Sequence, residues 1–351
     1  MNDNGFQYDV IVVGGGPAGL SGALTLSRAR ARVLVLVLDA GTPRNAPAAG
    51  VHNLLTRDGV APAELGELGR AEVRGYGGTV RATTALGARA LPAAGALPGG
   101  GFAVRTADGD EPTARRLLVT TGLTDVLPEI DGLAAHWGSQ VFGCPFCHAW
   151  EVRDTRIGVL STGPHDLFKV HLLRRWSDDV TLFLHTGPEP DEAQWAGFAA
   201  RGISVVDGEV TGVHTDGDRF AGLALASGTV VGVDALAISP RAAAHAGLLA
   251  DLGIATAGHP SGLGDHVPSG PGGATAVPGV WVAGNVTDPM AHVVTSAAAG
   301  TAAAVAITRE LVADDLARAI RAIRSSDPFG RESEAALAVA VAGDRAHGLT
   351  R

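Results

Sequence analysis

The sequence predicts an α/β fold built from two strand–loop–helix units. Three observations carry that prediction. The chain has 351 residues, enough to enclose two hydrophobic cores. A short apolar run at Tyr8–Val13 leads straight into a glycine loop and then a helical pattern. A second apolar run at Ile157–Leu160 is followed by a related but altered loop.

Tyr8-Asp-Val-Ile-Val-Val13 has no polar residue after Asp9, as expected of a strand buried on both faces. Gly14-Gly-Gly16-Pro17-Ala18-Gly19 follows, and the helical spacing of Leu20, Leu24 and Leu26 begins there. Strand, tight turn and helix in this order form a Rossmann-like phosphate cradle. Gly14 permits the turn, Gly16 lets a diphosphate approach the backbone, and Gly19 allows close helix packing at a helix N-terminus with free N–H groups. The next strand, Val33–Leu38, ends at Asp39, an acid placed to accept ribose hydroxyls. These residues alone leave FAD and NAD both open.

Composition narrows the class. Hydrophobic residues make up 46% and charged residues 18%, which suits a folded globular protein. The net charge is −9, with 26 arginines and one lysine, Lys169, so no basic stripe invites nucleic acid or an anionic membrane. The first residues lack a basic stretch followed by an apolar one, and no apolar run reaches the ~18 residues of a membrane span. A cytoplasmic location is therefore expected, where a purely structural disulfide is unusual.

Only two cysteines occur, and they stand three apart in Cys144-Pro-Phe-Cys147, with His148 directly after. The string matches a haem-attachment pattern, but cytochrome maturation normally needs export. Zinc usually takes four ligands from paired motifs, and no second cluster stands at zinc spacing. Two inert core cysteines are the plain alternative. A redox dithiol accounts best for the spacing, since cysteines on one helical turn meet disulfide geometry and a helix N-terminus lowers the thiol pKa. His148, titrating near pH ~6.5, could carry the proton; a solvated surface histidine is the alternative.

Ala276-Val-Pro-Gly279-Val-Trp-Val-Ala-Gly284-Asn285-Val-Thr-Asp288 and the small-residue helix around Thr295–Ile307 resemble the second FAD motif of flavoprotein disulfide reductases. Leu118-Val-Thr-Thr121-Gly122 resembles the strand closing the first FAD segment. The resemblance implies two Rossmann-like, three-layer ββα domains, with the FAD domain split by an insertion. Its segments would be 1–122 and 241–325; residues 123–240 would form the inserted domain carrying the CxxC, and 326–351 a tail that adds a short helix or is mobile. Thr124–Pro128 and Ser239-Pro240 are expected as linkers, and Leu91–Gly101 as a surface turn.

The whole chain resembles low-molecular-weight thioredoxin reductase, a pyridine nucleotide-disulfide oxidoreductase whose insertion binds NADPH. Here Ser161-Thr-Gly163-Pro-His-Asp166 keeps one glycine, Pro164 removes an N–H, and Asp166 puts negative charge at the helix start. After Val180–Leu184 comes His185-Thr-Gly-Pro-Glu, without the arginines that would hold a 2′-phosphate. An intact FAD site, Cys144-Pro-Phe-Cys147-His148-Ala-Trp-Glu151 and a broken nicotinamide loop resemble the dithiol oxidases of gliotoxin and holomycin type. That resemblance covers residues 8 to about 310 and implies a homodimer passing two electrons from a small-molecule dithiol to FAD and then O2. Cys144 would exchange with substrate and Cys147 would face the flavin C4a. Arg44, Asn45, His52 and Asn53 fall at flavin contacts, Asn285 at the ribityl chain, and His292 with Val293 at the flavin-facing helix. The alternatives are a thioredoxin-reductase-like enzyme with NADPH or another donor, and a flavin-binding redox sensor. The residues do not separate a small dithiol from a protein thiol.

Overall fold

The computed structural model describes residues 6–29, 34–92, 100–325 and 330–342. The first strand, β1 (Tyr8–Val13), lies between β2 (Val35–Asp39) and β6 (Thr113–Val119) and pairs in parallel with both. Its side chains from Val10 to Val13 are buried on both faces, which is why the segment carries no alternation. Residue 33, expected to open the second strand, and residues 93–99 of the expected surface turn lie outside the described residues.

The full sheet runs β3 (Thr79–Ala82), β2, β1, β6, β5 (Gly101–Thr106), β4 (Ala85–Leu91), with β19 (Val280–Val282) returning late in the chain to pair in parallel with β6. Helices α1 (Pro17–Ser27) and α7 (Val293–Ser325) cover one face, over a core of Val12, Leu26, Val37 and Ile307. The other face packs Ile11, Leu36, Val104 and Leu117 against Leu248 and Leu249 of α6 (Gly247–Ala250). Helix α2 (Pro62–Gly75) packs beside α1.

Helices α1 and α7 touch backbone to backbone. A Cβ on Gly300 would stand 1.9 Å from the Ala18 carbonyl oxygen, so only glycine fits there. Helix α7 runs well past the expected Ile307. Arg115 and Arg116, nearly buried on β6, pair with Asp315, Asp314 and Glu310 on its distal half and with Asp9 on β1, which fastens the extension to the sheet. Helix α8 (Arg331–Ala342) follows, so a helix stands in the tail; residues 326–329 lie outside the described residues.

A second parallel sheet has the order β11 (Ser204–Val206), β10 (Val180–Phe183), β9 (Ile157–Leu160), β15 (Ala235–Ala237), β8 (Val141–Phe142). Helices α4 (Pro164–Leu173) and α5 (Glu192–Ala200) cover one face, and the antiparallel strands β12 (Val210–Asp216), β13 (Arg219–Leu225) and β14 (Val230–Val231) cover the other. This is again three layers, so the molecule is an α/β protein with two Rossmann-type sheets. Ser239-Pro240 stays outside regular structure, while the first expected linker overlaps a strand. Residues Leu123–Val126 (β7) and Arg241–Ala244 (β16) form an antiparallel ribbon, because two crossings running side by side satisfy one another's N–H and C=O groups. Among the described residues no helix is long and apolar enough to cross a membrane.

Candidate active site

A single cavity of about 1410 Å³ runs from the glycine loop to the cysteine pair. Pockets for one drug-sized ligand span roughly 300–1,000 Å³, so this one has room for an extended dinucleotide together with a substrate. Gly14, Gly16, Pro17, Ala18, Asp39, Arg44, Asn45, Thr121, Gly122, Gly284, Asn285, His292 and Val293 all line it, as do Cys144, Cys147 and His148. Gly19 and Asn53 do not.

The glycine loop has the form a diphosphate requires. Gly14 has φ +110°, and a Cβ there would stand 2.4 Å from the Thr120 carbonyl oxygen. Gly19 packs against the Gly14 carbonyl, 1.9 Å from where its own Cβ would be, while Gly16 faces open space. The loop is therefore closed beneath and open above, at the start of the eleven-residue α1. Asp39 leans over Gly15; it accepts the Gly41 N–H at 2.8 Å and pairs with Arg70 at 2.8 Å. Arg70 escaped the sequence reading, because nothing in the local pattern of α2 marks one arginine as facing the cavity. The residues present fit FAD.

The candidate contacts also engage groups of the protein itself. Asn53 lies outside the cavity, in the left-handed region at φ +60°, and its side-chain amide donates to the Phe146 carbonyl at 2.5 Å. It thus holds the peptide between the two cysteines. Its neighbour His52 sits between Asp58, at 3.5 Å, and Glu151, at 3.4 Å. Asn285 donates through Nδ2 to the Asp288 and Ala291 carbonyls at 3.0 and 2.9 Å, which shapes the loop that presents His292. Arg44 makes a bidentate pair with Asp125 and reaches the Pro289 carbonyl at 2.8 Å, and its charge favours the anionic form of Cys147. Thr121 donates to the His245 carbonyl at 2.6 Å, Gly122 turns at φ +71°, and the Asn45 carbonyl closes a turn with the Ala48 N–H.

Cys144 caps α3 (Pro145–His148), a single turn with Pro145 at its first position. Both cysteines are free thiols and half-buried. The Cys144 sulfur lies 3.7 Å from Nε2 of His292, and the two cysteine sulfurs and a ring nitrogen of His292 all fall within 4.8 Å of one another. A hydrogen bond from Cys147 and then the charge of His292 pull the Cys144 thiol down to about 6, against the burial that opposes it. The Cys147 thiol moves the opposite way, because it donates that bond and sits beside the Cys144 thiolate. The one-turn helix adds little beyond the N–H groups of Phe146 and Cys147.

His148 lines the same cavity. Its ring packs on Phe142, with centroids 5.1 Å apart, and burial holds its pKa below the ordinary value despite Glu151 nearby. The imidazole at the sulfurs belongs to His292, delivered by the loop before α7 from 148 positions away. The only local signal for it was its place before a helix N-terminus.

At the second loop, Asp166 is wholly buried at the start of the ten-residue α4. Its carboxylate accepts the Thr162 and Gly163 N–H groups at 2.9 and 3.1 Å and the Ser239 hydroxyl at 2.5 Å. Lys169 stands 3.4 Å away and donates to the Ile238 carbonyl and Ser239. Burial lowers the Lys169 pKa more than Asp166 raises it. The donors a diphosphate would use are already engaged. Ser161 fills the space against Gly187, and His185 accepts the Val210 N–H at 3.1 Å.

Residues 8–300 match the family described as pyridine nucleotide-disulphide oxidoreductase. A probable thioredoxin reductase of Arthroderma benhamiae is 33% identical over 183 residues, covering 51% of this chain and 44% of that protein. The chain thus spans about half the length of that relative. Thioredoxin reductase sirT of Leptosphaeria maculans is 26% identical over 88% of this chain and 96% of its own. Among solved structures, HlmI superposes with a TM-score of 0.84 at 39% identity, covering 93% of this chain and 98% of that one. An oxidoreductase from Agrobacterium tumefaciens gives 0.80 at 32%, covering 88% and 99%.

Proposed function

We propose, from the premise that this chain belongs to the pyridine nucleotide-disulphide oxidoreductase family and binds FAD, that it oxidises a small-molecule dithiol to a disulfide. The observation that carries this reading is the triangle of Cys144, Cys147 and His292 inside the cavity that also holds the glycine cradle. Residues 123–240 are assigned to the inserted unit, the site residues keep the roles given below, and the protein is taken to act as a homodimer in the cytoplasm.

The cycle starts from the oxidised Cys144–Cys147 disulfide. A substrate thiolate attacks the Cys144 sulfur, and Cys147 leaves. Because the Cys147 thiol is the more basic of the two, it takes a proton, which the nearby His292 ring can supply. The second substrate thiolate then attacks the substrate sulfur of the mixed disulfide and releases Cys144. A thiol lowered to about 6 is a good leaving group, so this step favours product disulfide. Two electrons now rest on the pair. Bound FAD would supply the acceptor for these two electrons, with O2 as terminal oxidant and H2O2 as its product. Once it has regained a proton from solvent, His292 presents positive charge to the Cys144 thiolate.

Names of relatives such as thioredoxin reductase sirT favour the opposite direction, the alternative in which NADPH or another donor would supply the electrons. The carboxylate of Asp166 in the second loop counts against NADPH. Anaerobic addition of a dithiol should bleach the flavin, NADPH should leave it oxidised, and air should restore the colour with peroxide. Rapid bleaching by NADPH would overturn the proposal.

A further inference from the structure

We propose that the reduced Cys144–Cys147 pair and His292 form a zinc site, so that Zn²⁺ holds the enzyme in its dithiol state. The inference rests on the reading that the pair cycles between dithiol and disulfide, since only the dithiol offers two thiolates.

A tetrahedral zinc with Zn–S of ~2.3 Å and Zn–N of ~2.0 Å places its sulfurs about 3.8 Å apart and sulfur and nitrogen about 3.5 Å apart. Cys144 Sγ and His292 Nε2 are 3.7 Å apart, and every pair in the set lies within 4.8 Å. Small rotations of three side chains close the remaining gap. Two thiolates and an imidazole suit a borderline-soft divalent ion and not magnesium or calcium. Binding moves no electrons: the ion takes both sulfurs as thiolates and the imidazole in its neutral form, the protons of the Cys147 thiol and of the charged His292 ring go to solvent, and the centre is neutral. No carboxylate is needed. The neighbouring guanidinium of Arg44 is already engaged by Asp125 and the Pro289 carbonyl. The loop that carries His292 is held by Asn285, so the ligand is presented before any metal arrives.

Three protein ligands leave a fourth position towards the cavity, open to water or to a substrate thiolate. Disulfide formation removes two of the three ligands at once. Occupancy therefore reports the redox state, and zinc blocks turnover by competing with reoxidation of the pair.

The test uses the FAD-loaded protein, reduced anaerobically with a phosphine, and equilibrium dialysis against ZnCl2 with metal counted by mass spectrometry. One zinc per chain is expected in the reduced protein and none in the air-oxidised protein. Zinc should also shield both cysteines from iodoacetamide, read by intact mass. His292→Ala should weaken binding by at least about tenfold, the loss seen even for indirect supporting groups, and His292→Cys should restore it. Equal binding by the reduced wild type and His292→Ala, or no binding by the reduced wild type, would overturn the inference. The dialysis needs no turnover, so failure to bind zinc leaves dithiol oxidation standing, and failure of dithiol bleaching leaves the metal result readable.

Discussion

Replacing Asp166 by alanine should expose an anion hole that the protein otherwise fills from within. The wild-type carboxylate, wholly buried, takes two backbone N–H groups, the Ser239 hydroxyl and the charge of Lys169. Truncation leaves a buried ammonium without its carboxylate, a change that costs about 3–5 kcal/mol. It also leaves donors facing space at up to ~1–3 kcal/mol each, which water entering the vacated volume offsets in part. A net loss near 4 kcal/mol corresponds to a fall in melting temperature of roughly 10 °C. Phosphate or pyrophosphate should then refill the hole. At ten times its Kd the anion would return about 1.4 kcal/mol, or some 3–5 °C, to the variant. The wild type should ignore the same anions, because its donors are engaged. Asp166→Asn, which keeps an acceptor oxygen but not the charge, should fall between the two. Differential scanning fluorimetry with and without pyrophosphate reads all three proteins. If Asp166→Ala melts within about 2 °C of wild type and does not respond to pyrophosphate, or if NADP⁺ raises the wild-type melting temperature, the sealed-loop argument is wrong.

The Cys144 thiol should react with iodoacetamide as an anion down to about pH 6, losing reactivity as pH falls through that value because only the thiolate is nucleophilic. Cys147→Ala should move the midpoint upward the most and His292→Ala by less, following the order of the two influences; coincident midpoints in all three proteins would contradict the assignment. Gly300→Ala should break the contact between α1 and α7, since the new Cβ would fall 1.9 Å from the Ala18 carbonyl. A loss of about 3 kcal/mol or more is expected, the upper end for overpacking, together with weakened FAD retention because α1 carries the cradle. Urea unfolding and flavin release on gel filtration check both.

Much of the fold was legible because its signals are local. Tyr8–Val13, the loop Gly14–Gly19 and Asp39 lie within 32 consecutive positions, and the spacing of apolar side chains and glycines dictates strand, turn and helix without outside help. The cysteine pair was equally plain, since three-residue spacing is a property of the string. The ribbon of β7 and β16 was not, because each crossing takes its partner from a segment more than 110 positions away and neither carries a strand pattern of its own.

The site shows the same division. The sequence by itself determined that the two sulfurs stand one helical turn apart, that a glycine loop joins the first strand to its helix and that the second loop is altered, because each depends on residues close together in the chain. Only the tertiary structure decided that His292 and not His148 stands at the thiols, that Asn53 steadies the redox turn from outside the cavity, and that Asp166 with Lys169 and Ser239 fills the second anion site. Those outcomes depend on where distant backbone segments converge and on which buried charge finds a partner. Both are settled by packing, and no local pattern of residue types encodes them.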